Sequence, residues 1–293
     1  MVLNRKGIIL AGGLGTRLNP ITNVISKQLL PVYNKPMIYY PLSTLMLSGI
    51  REIILISSPC QLDSFKLLLG DGSKWGLSIS YACQKEPEGI AQAILIAESF
   101  LDGSPCALIL GDNLFYGHNL LETLQKANNN KYVATLFAYP VKDPQRFGIV
   151  SFDKNRNVTA IEEKPKNIFS KYAVTGLYFY DENVVDYAKD LVFSERGELE
   201  ITDLNKIYLS KNKLKVNVFG RGMIWLDTGT FDSLHEAGSL VKTLENSQGL
   251  KIGYPEEIAW RNKWITTKEF KTLVESQTHN NYGTYLKDLL DEF

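Results

Sequence analysis

The chain is poor in cysteine and histidine, with three of each among its 293 residues. Cys60, Cys83 and Cys106 are far apart and form no C-x-x-C pair, which argues against a disulfide framework and a cysteine metal site. Three buried thiols in a reducing compartment are expected. His118, His235 and His279 show no H-x-x-x-H spacing, and no Gly-x-Ser-x-Gly elbow occurs, so neither a histidine metal centre nor a serine triad is expected. Charge of either sign is not in surplus: 32 Lys plus Arg balance 32 Asp plus Glu. Nucleic-acid binding leaves a basic footprint, so none is expected, and an anionic ligand must be held by local charges. No apolar run approaches the roughly 18 residues of a spanning helix. The opening MVLNRKGIIL has too short an apolar run for an export signal and no small-residue cleavage site. These absences predict a cytoplasmic protein without membrane contact.

What is present starts at Gly7. Ile8-Ile9-Leu10 reads as a buried strand. It empties into Ala11-Gly12-Gly13-Leu14-Gly15-Thr16-Arg17, with Lys27-Gln28 further on. Glycines let the backbone approach a ligand with its N–H groups aimed outward, and Arg17 and Lys27 add fixed positive charge. The combination suits a phosphate chain. A Walker A loop needs Gly-Lys followed by Ser or Thr, which is missing, and a dinucleotide fingerprint fails at Leu18, where its third glycine belongs. The bland alternative is a plain glycine turn, which the cations downstream disfavour.

Apolar runs at 53–57, 77–83 and 106–110 alternate with helical patterns at 41–49, 61–69 and 90–101. Strands apolar on both faces, separated by helices, predict a Rossmann-like parallel sheet covered on both sides. From about residue 132 the pattern changes to closely spaced strands at 133–138, 147–152, 158–162 and 174–180, which predicts an antiparallel or mixed extension. Helices near 182–190 and 202–210, strands at 214–219 and 222–226, and a helix over 230–245 follow. The tail from Pro255 reads as short helices with exposed aromatics: Trp260, Trp264, Tyr282 and Tyr285. The fold class expected is α/β, a mixed sheet with helices on both faces and a small C-terminal helical appendage.

Asp112 follows Leu108-Ile109-Leu110-Gly111, at the C-terminal end of a buried strand, the edge where open α/β sheets bind ligands. It could help hold Mg2+ or cap a helix expected at 118–130; position alone leaves both open. Asp227, in Trp225-Leu226-Asp227-Thr228-Gly229, carries the same ambiguity. Glu162-Glu163-Lys164-Pro165 is either a charged strand end or a carboxylate and an ammonium suited to hydroxyls and a phosphate. Gln28 and Gln84 are either surface glutamines or amides offering the donor and acceptor that a pyrimidine edge requires.

These segments resemble the sugar-nucleotide pyrophosphorylases, whose G-G-x-G-T-R-L and K-x-L-x-P motifs read here Gly12 to Leu18 and Lys27 to Pro31. The longer run KQLLPVYNKPMIYYPLSTLMLSGIREIILIS is closer to their short bacterial glucose-1-phosphate thymidylyltransferase branch, and the likeness covers nearly the whole chain. The resemblance implies a GT-A-like nucleotide-diphospho-sugar transferase fold, with a catalytic core over 1–245 and an appendage over 246–293. Within the core, a nucleotide part would span about 1–131 and a sugar part about 132–245. It implies dTTP held by Gly12, Gly13, Gly15, Thr16, Arg17, Lys27 and Asp112, with Gln28 and Gln84 reading the base and Gly89 letting it approach. Glucose 1-phosphate would meet Gly148, Glu163, Lys164, Val174 and Trp225, and Mg2+ would sit on Asp112 and Asp227. Arg17, Lys27, Lys164, Asp112 and Asp227 would form the catalytic set. A homotetramer is implied too, with a regulatory dTDP-sugar site at Tyr116, Gly117, His118, Glu256, Glu257, Ile258 and Arg261. Phe147 departs from the tyrosine common in that family. The rival expectations are the same chemistry with UTP or another nucleotide, or a non-catalytic sugar-nucleotide sensor, which could lose the metal acids.

Overall fold

The structure, a computed structural model, describes residues 4–277 and 280–291; His279 lies outside them. At its centre is β1 (Lys6–Ala11). Ile8 and Leu10 point into one apolar core and Ile9 and Ala11 into the other, as period-two alternation in a doubly covered strand requires. A two-residue hairpin, β2 (Pro31–Val32) and β3 (Lys35–Pro36), follows the glycine segment. β4 (Glu52–Ser57) and β6 (Cys106–Leu110) flank β1 in parallel, and β5 (Ser78–Cys83) adds parallel outside β4.

Beyond β6 the sheet becomes mixed. β7 (Asn113–Gly117) leaves it, β8 (Ala134–Pro140) rejoins, and β9 (Gly148–Phe152) and β10 (Val158–Glu163) form an antiparallel pair. The nine-residue β11 (Tyr172–Tyr180) runs antiparallel to β6, β8 and β9. β12 (Leu214–Val218) closes parallel on β8, and β13 (Met223–Asp227) pairs antiparallel with β7 in a separate ribbon. The mixed sheet with helices on both faces agrees with the sequence reading.

Three differences have physical causes. The helical run at 90–101 is two short helices, Gln92–Ile96 and Glu98–Leu101, broken at Ala97. Of the three thiols only Cys106 is buried; Cys60 sits in the loop after β4, and Cys83 ends the outermost parallel strand β5. The tail aromatics are packed within the chain. Tyr282 stacks on Tyr254 at 4.1 Å, Trp260 on Phe270 at 4.6 Å, and Trp264 lies under Arg51. The helix Pro255–Arg261 folds back on helix Tyr39–Leu47, so these rings fill an intrachain seam.

A buried ion pair joins that seam to the hairpin. Lys35 donates to Glu245 at 3.1 Å and lies between the rings of Tyr40 and Tyr254. Burial pushes the Lys35 ammonium down to about 8, with the Glu245 carboxylate opposing the shift. Below pH 8 the fold bears the whole burden of that buried charge. As pH rises from 8 towards the ordinary lysine value, the unfolded chain binds more protons than the folded one, and this group's contribution moves in favour of folding. Denaturant unfolding of wild type and Lys35→Met is therefore expected to differ by a pH-dependent amount. Wild type should gain on the variant by about 3 kcal/mol across the full window; a gap independent of pH would refute the assignment.

Candidate active site

The parallel strands deliver their loops to one edge. After β1, Gly15 takes a left-handed turn into the single turn Thr16–Leu18, and two further turns, Ile21–Asn23 and Lys27–Leu29, follow. Lys27 and Gln28 are buried, whereas Gly13, Thr16 and Arg17 are exposed. Lys27 Nζ donates to Asp112 Oδ2 in a close ion pair. Gln28 packs against Gly111 and accepts from Ser26 Oγ at 2.7 Å. Gln84 lies against Gly12 and donates to Gln92 at 2.6 Å. Neither glutamine is a surface residue: both are 3% exposed.

The β7–β13 ribbon, which no local pattern in the sequence marks, brings the two expected acids together. Its register sets Asp227 opposite Asn113, one residue from Asp112, and Thr228 N–H and Oγ1 both donate to the Asp112 carbonyl. Two carboxylates 115 positions apart in the chain thus face one cavity of about 220 Å3, also lined by Arg17, Glu163, Lys164 and Trp225. Arg17 Nη2 and Asp227 Oδ1 come within 2.8 and 3.0 Å of where a side chain on Gly229 would begin.

The two acids differ electrically. Burial pushes both upward, but at Asp112 the charge and hydrogen bond of Lys27, with the Asn113 amide, prevail and hold the carboxyl below its ordinary range. Asp227 is raised by burial and by the Asp112 carboxylate, with Lys27, Arg17 and Arg146 opposing. Spare negative charge in a desolvated cleft suits a divalent cation. Among the described residues no group of three or more His, Cys, Asp or Glu gathers as a metal cluster. Two carboxylates fit Mg2+, which commonly takes one or two of them and completes its shell with phosphates and water.

At the other end of the cavity, Glu163 closes β10 and accepts from Thr202 Oγ1 at 2.5 Å. Arg196 and Lys164 lie 3.6 and 3.9 Å from its other oxygen. Gly148 suits this approach: a Cβ there would fall 3.0 Å from Thr202 Oγ1 and 3.1 Å from Glu163 Oε2, pressing on both side chains. Val174 and Phe147 complete the wall, Phe147 edge-on to Trp225 at 5.3 Å. Gly89 is also constrained within the fold. It takes φ 108°, and the place of a Cβ is filled by the Leu199 backbone 2.4 Å away, so packing of the loop onto Leu199 demands the glycine.

The residues expected to form a regulatory site divide. Tyr116, Glu257, Ile258 and Arg261 line one cavity of about 290 Å3. His118 lines a separate cleft beside Arg221, and Gly117 ends β7 against Gly222 and Met223. Glu256 is 2% exposed and accepts from Tyr282, because the tail folds over it. Residues that sequence reasoning did not single out include Arg146, Thr202, Asn205 and Tyr178 on the cavity wall. Asn113, beside the acid in Gly111-Asp112-Asn113, was the one with a local signal.

Fold and site together define a protein that holds phosphate groups between a glycine turn and paired carboxylates, beside a hydroxyl-binding cleft. A nucleotidyl transferase family model matches residues 6–243. The glucose-1-phosphate thymidylyltransferase of Neisseria meningitidis is 56% identical over 285 residues, covering 97% of this chain and 99% of that protein. A crystal structure from Bacillus anthracis in complex with sucrose superposes with TM-score 0.76 at 40% identity, covering 86% of this chain and 98% of its own. A UDP-glucose pyrophosphorylase complexed with UDP-glucose shares the fold, with TM-score 0.71 at 21% identity over 83% of this chain and all of that one. The chain belongs to the nucleotidyl transferase family, in the branch of the glucose-1-phosphate thymidylyltransferases. Among the described residues no helix is long and apolar enough to cross a membrane.

Proposed function

We propose that the protein transfers dTMP from dTTP to α-D-glucose 1-phosphate, giving dTDP-glucose and pyrophosphate, as the first step of deoxysugar synthesis such as that of dTDP-L-rhamnose. The observation that carries this reading is the juxtaposition of Asp227 and Asp112, the latter paired with Lys27, in one cavity with Arg17, Glu163 and Lys164. A sugar-phosphate oxygen attacks the α-phosphorus of dTTP in line, and the bond to pyrophosphate breaks on the opposite side. A sugar phosphate is already ionised at neutral pH, so no protein nucleophile is needed. Catalysis is then alignment plus charge neutralisation.

Asp112 and Asp227 would hold Mg2+, which when bound neutralises phosphate charge. Arg17 meets the charge developing on the leaving pyrophosphate, and Lys27, in the adjacent turn, orients Asp112 and neutralises the nucleotide phosphates. Lys164 holds the attacking phosphate, and Glu163 accepts from sugar hydroxyls. Gly12, Gly13, Gly15 and Thr16 cradle the phosphate chain, while Gln28 and Gln84 meet the thymine. Val174 and Trp225 bound the sugar pocket. A cytoplasmic homotetramer with a dTDP-sugar site around Tyr116, Ile258 and Arg261 belongs to the same reading, as does a core over 1–245 with an appendage over 246–293.

Pyrophosphate release tests it, with glucose 1-phosphate, Mg2+ and dTTP, UTP, CTP or ATP offered separately. Turnover with dTTP preferred, abolished by EDTA, is expected; preference for another nucleotide would refute the base assignment. Gly148→Ala adds a test of the sugar side. Because its new methyl presses on Glu163 and Thr202, KM for glucose 1-phosphate should rise about tenfold in steady-state kinetics, with a smaller change for dTTP. An unaltered KM would remove Gly148 and Glu163 from the sugar pocket.

A further inference from the structure

Asn113 is 3% exposed and has its hydrogen bonds distributed in one sense only. Its Oδ1 accepts from the Gly176 backbone N–H at 3.1 Å and from the Trp225 indole Nε1–H at 2.5 Å. Both partners are obligate donors, so the amide orientation is fixed without ambiguity: the NH2 group must face the other way. There it donates to Asp112 Oδ1 at 3.0 Å. The other Asp112 oxygen is taken by Lys27, so the carboxylate is held at both ends.

Each partner belongs to a different part of the cavity. Trp225 lies in β13, two residues before Asp227, and packs on Phe147. Gly176 lies in β11 where that strand passes from pairing with β9, at Tyr172 and Ala173, to pairing with β6, from Leu177 on. The side chain therefore ties together three elements: the acid after β6, the wall of the sugar pocket on β13, and the gap in the β11 ladder.

We propose that Asn113 is a positioning residue that sets the Asp112 carboxylate for the metal and, through Trp225 and Gly176, the sugar-phosphate pocket, so that the two halves of the site are registered by one amide. This rests on the reading that the cavity takes glucose 1-phosphate at one end and Mg2+ with nucleotide at the other. No other side-chain type has the required pattern, two acceptances and one donation at this length, apart from a protonated acid.

Asn113→Asp separates the two arms. When ionised, the isosteric acid still accepts from Gly176 and Trp225 but presents an oxygen, not a donor, to Asp112; protonated, it restores the donor, so its readouts are taken as pH profiles. Calorimetric binding of glucose 1-phosphate in metal-free buffer should stay within about twofold of wild type, while kcat falls and half-saturating Mg2+ rises by about tenfold or more, as for loss of a hydrogen bond to a charged group. Asn113→Ala loses both arms: sugar-phosphate affinity in metal-free buffer should also fall about tenfold. A merely structural residue would lower the melting temperature without splitting these readouts. If Asn113→Asp does not fold, Asn113→Ala alone decides, since retained metal-free sugar-phosphate affinity overturns the proposal. Asn113→Asp with wild-type half-saturating Mg2+ and kcat across the whole pH profile overturns it as well. Wild type is the control that separates the two claims. If wild type neither binds glucose 1-phosphate nor turns over, the functional reading fails; if wild type does both and the variants match it, the role of Asn113 fails alone.

Discussion

Asp112→Asn is expected to lower turnover at least about a thousandfold, in the range found when a preorganised electrostatic element is removed from a phosphoryl-transfer site. Asp227→Asn should do the same to activity, yet the two should move stability in opposite directions. Asp112 is held ionised by Lys27, which is itself buried. Neutralising it leaves an ammonium in a poor environment and should cost about 1–3 kcal/mol. Asp227 is different, because burial and the Asp112 charge already disfavour its ionised form. Asparagine there relieves repulsion, so the variant should melt at or above the wild-type temperature while losing activity. Stability given up for a charged functional site is a familiar trade-off. Thermal melts and pyrophosphate release on the same preparations would check both signs. Equal destabilisation by the two variants would refute the electrical asymmetry, and undiminished turnover would remove the acids from the chemistry.

Arg17→Ala is the second large expected effect. Its guanidinium is exposed on the glycine turn yet reaches towards Gly229 and Asp227, where a triphosphate tail would leave. A charge that meets the leaving group acts chiefly in the transition state, so kcat should fall about 100- to 1000-fold, with KM for dTTP changing much less. Arg17→Lys should recover only part of the loss, since an ammonium lacks the planar fork. Folding stability should be nearly unchanged, because an exposed side chain without a close ion pair contributes little. A variant with raised KM and normal kcat would make Arg17 a ground-state binder instead.

Much of this was legible in local patterns, and the remainder was not for identifiable reasons. β1, β4 and β6 announce themselves as apolar runs on both sides of one sheet, and β9 to β11 as closely spaced strands. Helix Phe231–Gln248 begins at Thr230 with a reciprocal cap to Ser233, close to where the sequence placed it. The ribbon between β7 and β13 left no such mark. Asn-Leu-Phe-Tyr-Gly is short and follows a turn, and its partner lies more than a hundred residues away, so pairing is settled by tertiary packing. That pairing alone converts two acids that could each have capped a helix into a facing pair. The same limit explains Glu256 and the tail aromatics. Their burial depends on partners elsewhere in the chain: the fold-back onto helix Tyr39–Leu47, Phe270 against Trp260 and Arg51 against Trp264. At Gly89 a Cβ would meet the Leu199 backbone, a constraint that no window around residue 89 contains.

The central claim is that the facing carboxylates of Asp112 and Asp227 seat the divalent ion with the nucleotide. It is tested most directly by titrating Mn2+ as a paramagnetic probe into the protein with dTTP and following free Mn2+ by electron paramagnetic resonance. Wild type should bind Mn2+ tightly with dTTP present, and Asp112→Asn and Asp227→Asn should each lose most of that binding while remaining folded. Undiminished Mn2+ binding in both variants would contradict the account.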